Sequence, residues 1–235
     1  MKQLKAIIFD VDGTLAETEE AHRLAFNDIF EAHGLDWNWD VSMYGELLKT
    51  TGGKERMLEY QRTHRPNAPQ LEFEQIAILH RIKTTRYAEI ISSGSTSLRA
   101  GISDLIEDAK AQGIRVAVAT TTNTPNVDCL SLACFGKPAT EIFEVIAAGD
   151  EVENKKPAPD VFNLAVERLG LDPDVCVGLE DSRNGLLSCT GAGVPCIVSP
   201  GVYTLGSDFS EARATLKCFS EINTIEKLKA LLDLD

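Results

Sequence analysis

No stretch of this chain approaches the ~18 consecutive apolar residues of a membrane-spanning helix, so no membrane association is expected. Basic side chains are scarce: 23 Lys and Arg stand against 36 Asp and Glu, for a formal net charge of -13. A sequence-independent grip on nucleic-acid phosphates or on an anionic membrane surface is therefore not expected, and an anionic ligand has to be met by a local exception. The six cysteines, at 129, 134, 176, 189, 196 and 218, contain no CxxC pair and no regular spacing, which argues against a zinc site and against a disulfide framework. Reduced, structural cysteines in a cytoplasmic protein are the expectation. The opening MKQLKAIIFDVDG has only three strongly apolar residues before Asp10, too few for a signal-peptide core. Internal repeats, low-complexity tracts and Gly/Ser linkers are also missing.

What is there is ordinary globular material, 43% hydrophobic and 25% charged over 235 residues. Short apolar runs bounded by turn signals recur at Ala6 to Phe9, Val116 to Ala119, Phe143 to Ile146, Val175 to Leu179 and Cys196 to Val198, and read as buried strands. Between them lie helical spacings closed by glycine, such as Leu105, Ile106 and Ala109 before Gly113, or Val161, Leu164, Ala165 and Leu169 before Gly170. Alternating strands and helices predict an α/β fold with a Rossmann-like parallel sheet, whose ligands sit outside the carboxyl ends of the strands. Residues 16–94 break the alternation. Only helical patterns occur there, which predicts a helical insertion (16–94) within an α/β core formed by residues 1–15 and 95–235. Between Glu46 and Ala88 eight basic residues face five acidic ones, a local reversal of the chain's charge. A solvated, salt-bridged helix face accounts for most of them, but Lys54 and Arg56 follow the turn Thr50-Thr51-Gly52-Gly53, whose backbone can approach an oxyanion.

Chemistry is carried at strand ends. Asp10 and Asp12 flank one apolar residue where the first strand emerges, followed by Gly13 and Thr14. An Asp-Gly turn with a helix cap explains Asp12, Gly13 and Thr14 but leaves Asp10 without a reason, because two nearby carboxylates repel unless a cation or a proton sits between them. The run Thr120-Thr121-Thr122-Asn123 offers hydroxyls and amides suited to phosphate oxygens, or equally a helix cap before Pro125. Lys156 precedes Pro157 at a helix entrance, where a lysine can neutralise charge. Glu180 and Asp181 place a second carboxylate pair at the end of another buried strand, hard oxygen ligands suited to Mg2+.

These four motifs in this order, DxDGT, a hydroxyl after a hydrophobic strand, a Lys before Pro and a late acidic pair, resemble the signature of the haloacid dehalogenase superfamily, and the helical insertion is similar to its first-type cap. The segments AETEE, KKPAPD and GLEDS resemble the phosphatase and β-phosphoglucomutase branch. AETEEAHRLAF, TTGGKERM, LHRIKTTRY, AVATTTN, IAAGDEV and CIVSPGVYT resemble the CbbY-type sugar phosphatases, which act on xylulose-1,5-bisphosphate. The resemblance implies Asp10 as nucleophile, forming an aspartyl-phosphate, and Asp12 as general acid and base. It implies Mg2+ held by Asp10, the Asp12 carbonyl and Asp181 with support from Glu180, and a phosphoryl group bound by Thr120, Thr121 and Lys156. In the cap, Glu17 and His22 match the joining segment, and Tyr44, Lys54, Arg56 and Lys83 are candidates for the sugar hydroxyls and a second phosphate. The implied partner is a small phosphorylated sugar, bound by a monomer with no nucleic acid or membrane.

Other chemistries fit less well. A dehalogenase has no use for Asp12, Glu180 or Asp181, and a phosphonoacetaldehyde-type hydrolase is disfavoured only by the closer match elsewhere. A mutase shares all four motifs and differs in whether water or a sugar hydroxyl takes the phosphoryl group. A non-catalytic binding module on this scaffold would be marked by loss of Asp10 or Asp12, and both are present.

Overall fold

A computed structural model describes residues 3–232. Strands β1 (Ala6–Phe9), β2 (Arg115–Ala119), β3 (Val145–Ala147), β4 (Cys176–Glu180), β5 (Cys196–Val198) and β6 (Ala214–Thr215) form a six-stranded sheet in the order β3-β2-β1-β4-β5-β6. Every pairing is parallel. The inner strands are apolar along most of their length because both faces are covered, as parallel crossovers require. Along β1, Ile7 and Phe9 join one core cluster with Ile102, Leu105 and Ile106 of α5 (Ile102–Ala111), while Ala6 and Ile8 join a second with Phe162 and Ala165 of α8 (Asp160–Leu169). Each large apolar side chain so buried contributes ~1.5–3 kcal/mol before chain entropy is counted.

The remaining helices are α1 (Glu19–Ala32), α2 (Val41–Leu47), α3 (Gly53–His64), α4 (Phe73–Ile90), α6 (Thr124–Phe135), α7 (Ala139–Ile142), α9 (Arg183–Gly191) and α10 (Ile225–Leu232). Their boundaries follow local chemistry. Asn123 caps α6 by accepting from Asn126 N at 3.0 Å, and Ser182 caps α9 by accepting from Gly185 N at 3.1 Å. Gly136 and Gly170, both left-handed, end α6 and α8. Among the described residues no helix is long and apolar enough to cross a membrane.

Between β1 and α5 the chain forms α1 to α4. These pack around an aromatic cluster of their own, in which the Phe26 ring lies 4.7 Å from Trp39 and Trp39 lies 4.9 Å from Phe30. Ala21, Ala25, Tyr87 and Ile91 instead pack into the core on the Phe9 side of the sheet. Where the chain leaves and re-enters the sheet region, Ala16 pairs with Leu98 in an isolated antiparallel bridge, and Arg99 N donates to Leu15 O at 2.8 Å.

Two expectations shift. The third strand begins at Val145 rather than Phe143, because Phe143 caps α7 and buries its ring against Phe9 and Phe135 instead of entering the ladder. The edge strand β6 has no apolar run to announce it, being two residues long with Thr215 exposed.

Candidate active site

Phe9 is in register with Val118 of β2 and Leu179 of β4, so the residues that follow all three strands emerge together at one edge of the sheet. The strand order also reverses direction at β1, the place where open α/β sheets bind ligands. Asp10, Glu180 and Asp181 meet there, each buried and each offering a carboxylate oxygen within 4.8 Å of the others. Lys156, on the loop entering α8, donates through Nζ to Asp10 Oδ1 at 2.6 Å, Glu180 Oε1 at 2.6 Å and Ala119 O at 2.9 Å. One ammonium thus pairs with two of the three carboxylates, leaving the cluster with an excess of negative groups. Burial, reinforced by Glu180 and opposed by Lys156, pushes Asp10 up to about 8. Burial and the charges of Asp10 and Glu180 push Asp181 well above the usual carboxylate range. Burial alone would lower Lys156, but Asp10 and Glu180 outweigh it, so Lys156 is raised as well and stays protonated. A surplus of buried, hard, negatively charged oxygens is the donor set of a divalent cation such as Mg2+.

Asp12 is held apart from that cluster. Its Oδ1 accepts from Thr18 Oγ1 at 2.5 Å and lies 3.1 Å from His22 Nε2. Burial alone would raise Asp12, but His22, Thr18 and Lys83 outweigh it and hold the carboxyl at about 2. On the other side of the imidazole, Lys83 Nζ contacts His22 Nδ1. Lys83 is only 3% exposed, lies over the Phe26 ring at 4.5 Å, and is brought down to about 7 by burial and by Arg56.

On the β2 side, Thr120 is buried and its Oγ1 accepts from Thr122 N at 3.2 Å, leaving its own O–H free to donate. Thr121, Thr122 and Asn126 line the adjoining space. That space is a cavity of about 1210 Å³ between the strand ends and α1, α3 and α4. Asp10, Asp12, His22, Lys156 and Asp181 are on its wall, as are Lys54, Arg56 and Lys83. The wall facing the carboxylates is therefore basic, the local exception that the acidic composition demands.

Several side chains sit differently from their sequence reading. Arg56, set apart from the solvated helix face in the sequence, is buried, and so is Lys83. Tyr44 is fully buried in the aromatic cluster and does not line the cavity; its OH donates to Glu19 Oε2 at 2.8 Å and accepts from Arg56 Nη1 at 3.0 Å. Glu17 is likewise off the cavity wall, with Oε1 3.5 Å from Arg99 Nε. Glu180 lies behind Lys156, completely buried.

Other wall residues carried no sequence signal. His80 is pushed down to about 3 by burial and by the neighbouring lysines. Lys155 pairs with Glu55 at 2.7 Å, and Asn184 Nδ2 donates to Thr51 Oγ1 at 2.9 Å, joining α3 and the loop before it to the sheet side. Those partners stand 100 and 133 residues apart, so only the fold brings them together.

A family model for haloacid dehalogenase-like hydrolases matches residues 4–193. The chain is 53% identical over 225 residues to the CbbY protein of Cereibacter sphaeroides, covering 96% of each chain. Its fold superposes with a TM-score of 0.92 on the crystal structure of the D10N mutant of CbbY from Rhodobacter sphaeroides in complex with xylulose-1,5-bisphosphate, at 52% identity over 96% of this chain and 99% of that one. β-Phosphoglucomutase from Clostridium difficile shares the fold at 21% identity, with a TM-score of 0.79 and 98% of each chain covered.

Proposed function

The chain belongs to the haloacid dehalogenase-like hydrolases and is a phosphatase of that family, and on this premise we propose that it dephosphorylates a sugar bisphosphate, xylulose-1,5-bisphosphate in particular. The observation that carries this reading is the opposition of a buried carboxylate cluster, with Asp10 and Asp181 at the surface of the cavity, to the basic side chains Lys54, Arg56 and Lys83 across it. A phosphoryl group at the carboxylate end needs a cation beside it, and a second phosphate at the far end meets basic side chains. The complex of the CbbY variant with xylulose-1,5-bisphosphate supports the same substrate here.

In this mechanism an Asp10 carboxylate oxygen bonds to phosphorus as the bond from phosphorus to the sugar oxygen breaks, and Asp12 delivers a proton to that departing oxygen. Water then attacks the aspartyl-phosphate, Asp12 takes a proton from it, and phosphate leaves with Asp10 regenerated. Asp12 is held ionised by His22 and Thr18, which is the form needed for the second half. The first half needs the protonated form, which the Thr18 and His22 contacts oppose. Lys156 and the Thr120 hydroxyl, with the amide of Thr121, offset charge on the transferring group. Asp10, Asp181 and the Asp12 carbonyl, backed by Glu180, would hold Mg2+, which supplies charge neutralisation between nucleophile and phosphate.

Residues 16–94 act as a cap that selects the sugar and excludes water, on a catalytic core of residues 1–15 and 95–235. The decisive assay measures inorganic phosphate released from xylulose-1,5-bisphosphate and from sugar monophosphates with Mg2+ present, alongside interconversion of β-glucose 1-phosphate and glucose 6-phosphate. Phosphate release with a preference for the bisphosphate is expected. Efficient interconversion with negligible phosphate release would replace the phosphatase by a mutase.

A further inference from the structure

Arg99 lies on the second crossing between the helical insertion and the sheet region, and no motif singled it out. Its Nη1 donates to Gly13 O at 2.5 Å and Ser199 O at 2.8 Å, and its Nη2 donates to Ser199 Oγ at 2.8 Å and Pro200 O at 3.1 Å. The Phe219 ring closes over the guanidinium at 4.9 Å, and the side chain is only 10% exposed. One planar fork thus ties the loop after β1 to the loop after β5.

Between those two loops lies Asp181. A Cβ on Gly13, whose φ is +85°, would run into the Asp181 carboxylate, and a Cβ on Gly201 would stand 2.8 Å from Asp181 Oδ2. Asp181 is therefore packed between two glycines, each adjoining a carbonyl or loop that Arg99 grips. Ser199 N also donates to Glu180 O at 2.9 Å, so the gripped loop is fastened to the strand that carries both acidic residues.

We propose that Arg99 is a positioning residue that brackets Asp181, holding the loops on either side of it at the spacing needed for a divalent cation. The inference rests on the cation reading of the carboxylate cluster given above. A flat guanidinium satisfies several carbonyls in one plane, which a lysine ammonium does not reproduce. Groups that orient metal-binding carboxylates act on affinity, and their loss typically weakens binding ~10–100-fold.

The test titrates Mg2+ alone, by calorimetry, into metal-free wild type, R99M, R99K and S199A, with thermal melting of each and phosphate release across Mg2+ concentrations. R99M is expected to melt cooperatively, to bind Mg2+ at least ~10-fold more weakly, and to recover most of its turnover at high Mg2+. R99K should also bind more weakly, and S199A should shift in the same direction by less. Should R99M not fold, R99K and S199A carry the comparison. Mg2+ affinity in R99K equal to wild type would mean that charge alone suffices and overturns the bracket. Wild type that takes up no Mg2+ overturns the cation reading itself, an outcome distinct from unchanged binding in the variants.

Discussion

His22 Nε2 stands 3.1 Å from Asp12 Oδ1 while the His22 ring lies flat on Tyr87, with centroids 4.0 Å apart and planes 10° from parallel. The stacking fixes the ring's plane, so the carboxylate is met by a group carried on α1 and oriented from α4. Lys83 on the opposite ring nitrogen extends the chain of contacts into the basic wall of the cavity.

Lys83 makes folding stability depend on pH. Its folded value of about 7 lies below its ordinary 10.5, so between those limits the unfolded chain binds the extra proton. Stability therefore rises as pH climbs from about 7 towards 10.5, and below about 7 the cost of burying the charge is present in full. Urea unfolding of wild type and K83M across this window should show the difference moving in favour of wild type, by on the order of 5 kcal/mol over the whole window. A difference that stays constant would mean that Lys83 keeps its proton in the folded protein.

Removing the attacking oxygen should be far more damaging than removing a contact. D10N is expected to lower phosphate release by ~1000-fold or more while melting near the wild-type temperature, because the amide is isosteric and relieves a crowded negative cluster. Excess chelator should abolish wild-type turnover, and added Mg2+ should restore it and raise the melting temperature, since a ligand that binds only the folded form stabilises it. Turnover indifferent to chelator would remove the metal from the mechanism.

The basic wall predicts a split between substrates. Lys54 sits at the start of α3, 5.8 Å over the Phe73 ring, and lines the cavity. K54A should erode the preference for a bisphosphate over the matched monophosphate by ~10-fold and spare p-nitrophenyl phosphate, which has no second phosphate to bind. Equal losses on both kinds of substrate would point to damaged folding.

Phe26, fully buried among Trp39, Phe30 and Tyr44, is the centre of the helical cluster. F26A should cost about 3–5 kcal/mol there. Both tryptophans of the chain, Trp37 and Trp39, belong to this cluster, so indole fluorescence reports on it alone while circular dichroism reports on all helices. In F26A the fluorescence transition should fall to lower urea than the dichroism transition. Coincident shifts would indicate one cooperative unit.

The sheet was legible where strands are buried on both faces. β1, β2, β4 and β5 are continuous apolar runs, and Cys196 to Val198 is read to the residue. α2 was not, because seven residues containing Ser42, Gly45 and Glu46 show no helical period; only Asp40, whose side chain accepts from Met43 N at 2.7 Å, marks its start. Asp10, Asp12, Glu180 and Asp181 stand out in the sequence because they interrupt or end an apolar run, whereas Lys156 is marked only by the proline that follows it. Arg99, His80 and Asn184 have no such contrast with their neighbours. Tyr44 illustrates the opposite error: an aromatic hydroxyl amid charges reads as a ligand contact, yet the ring is needed by Trp39 and Phe26 for packing.

The cavity has two walls drawn from separate stretches of chain, the carboxylates from β1 and β4 and the basic groups from α3 and α4. Under the proposed function, changes at Lys54 or Arg56 would alter which sugar is accepted while leaving Asp10 and Asp181 in place, whereas a change at Lys83 would reach Asp12 through His22. Substrate choice and bond chemistry would then share one hinge point, the Lys83–His22–Asp12 line, and be separable everywhere else along the basic wall.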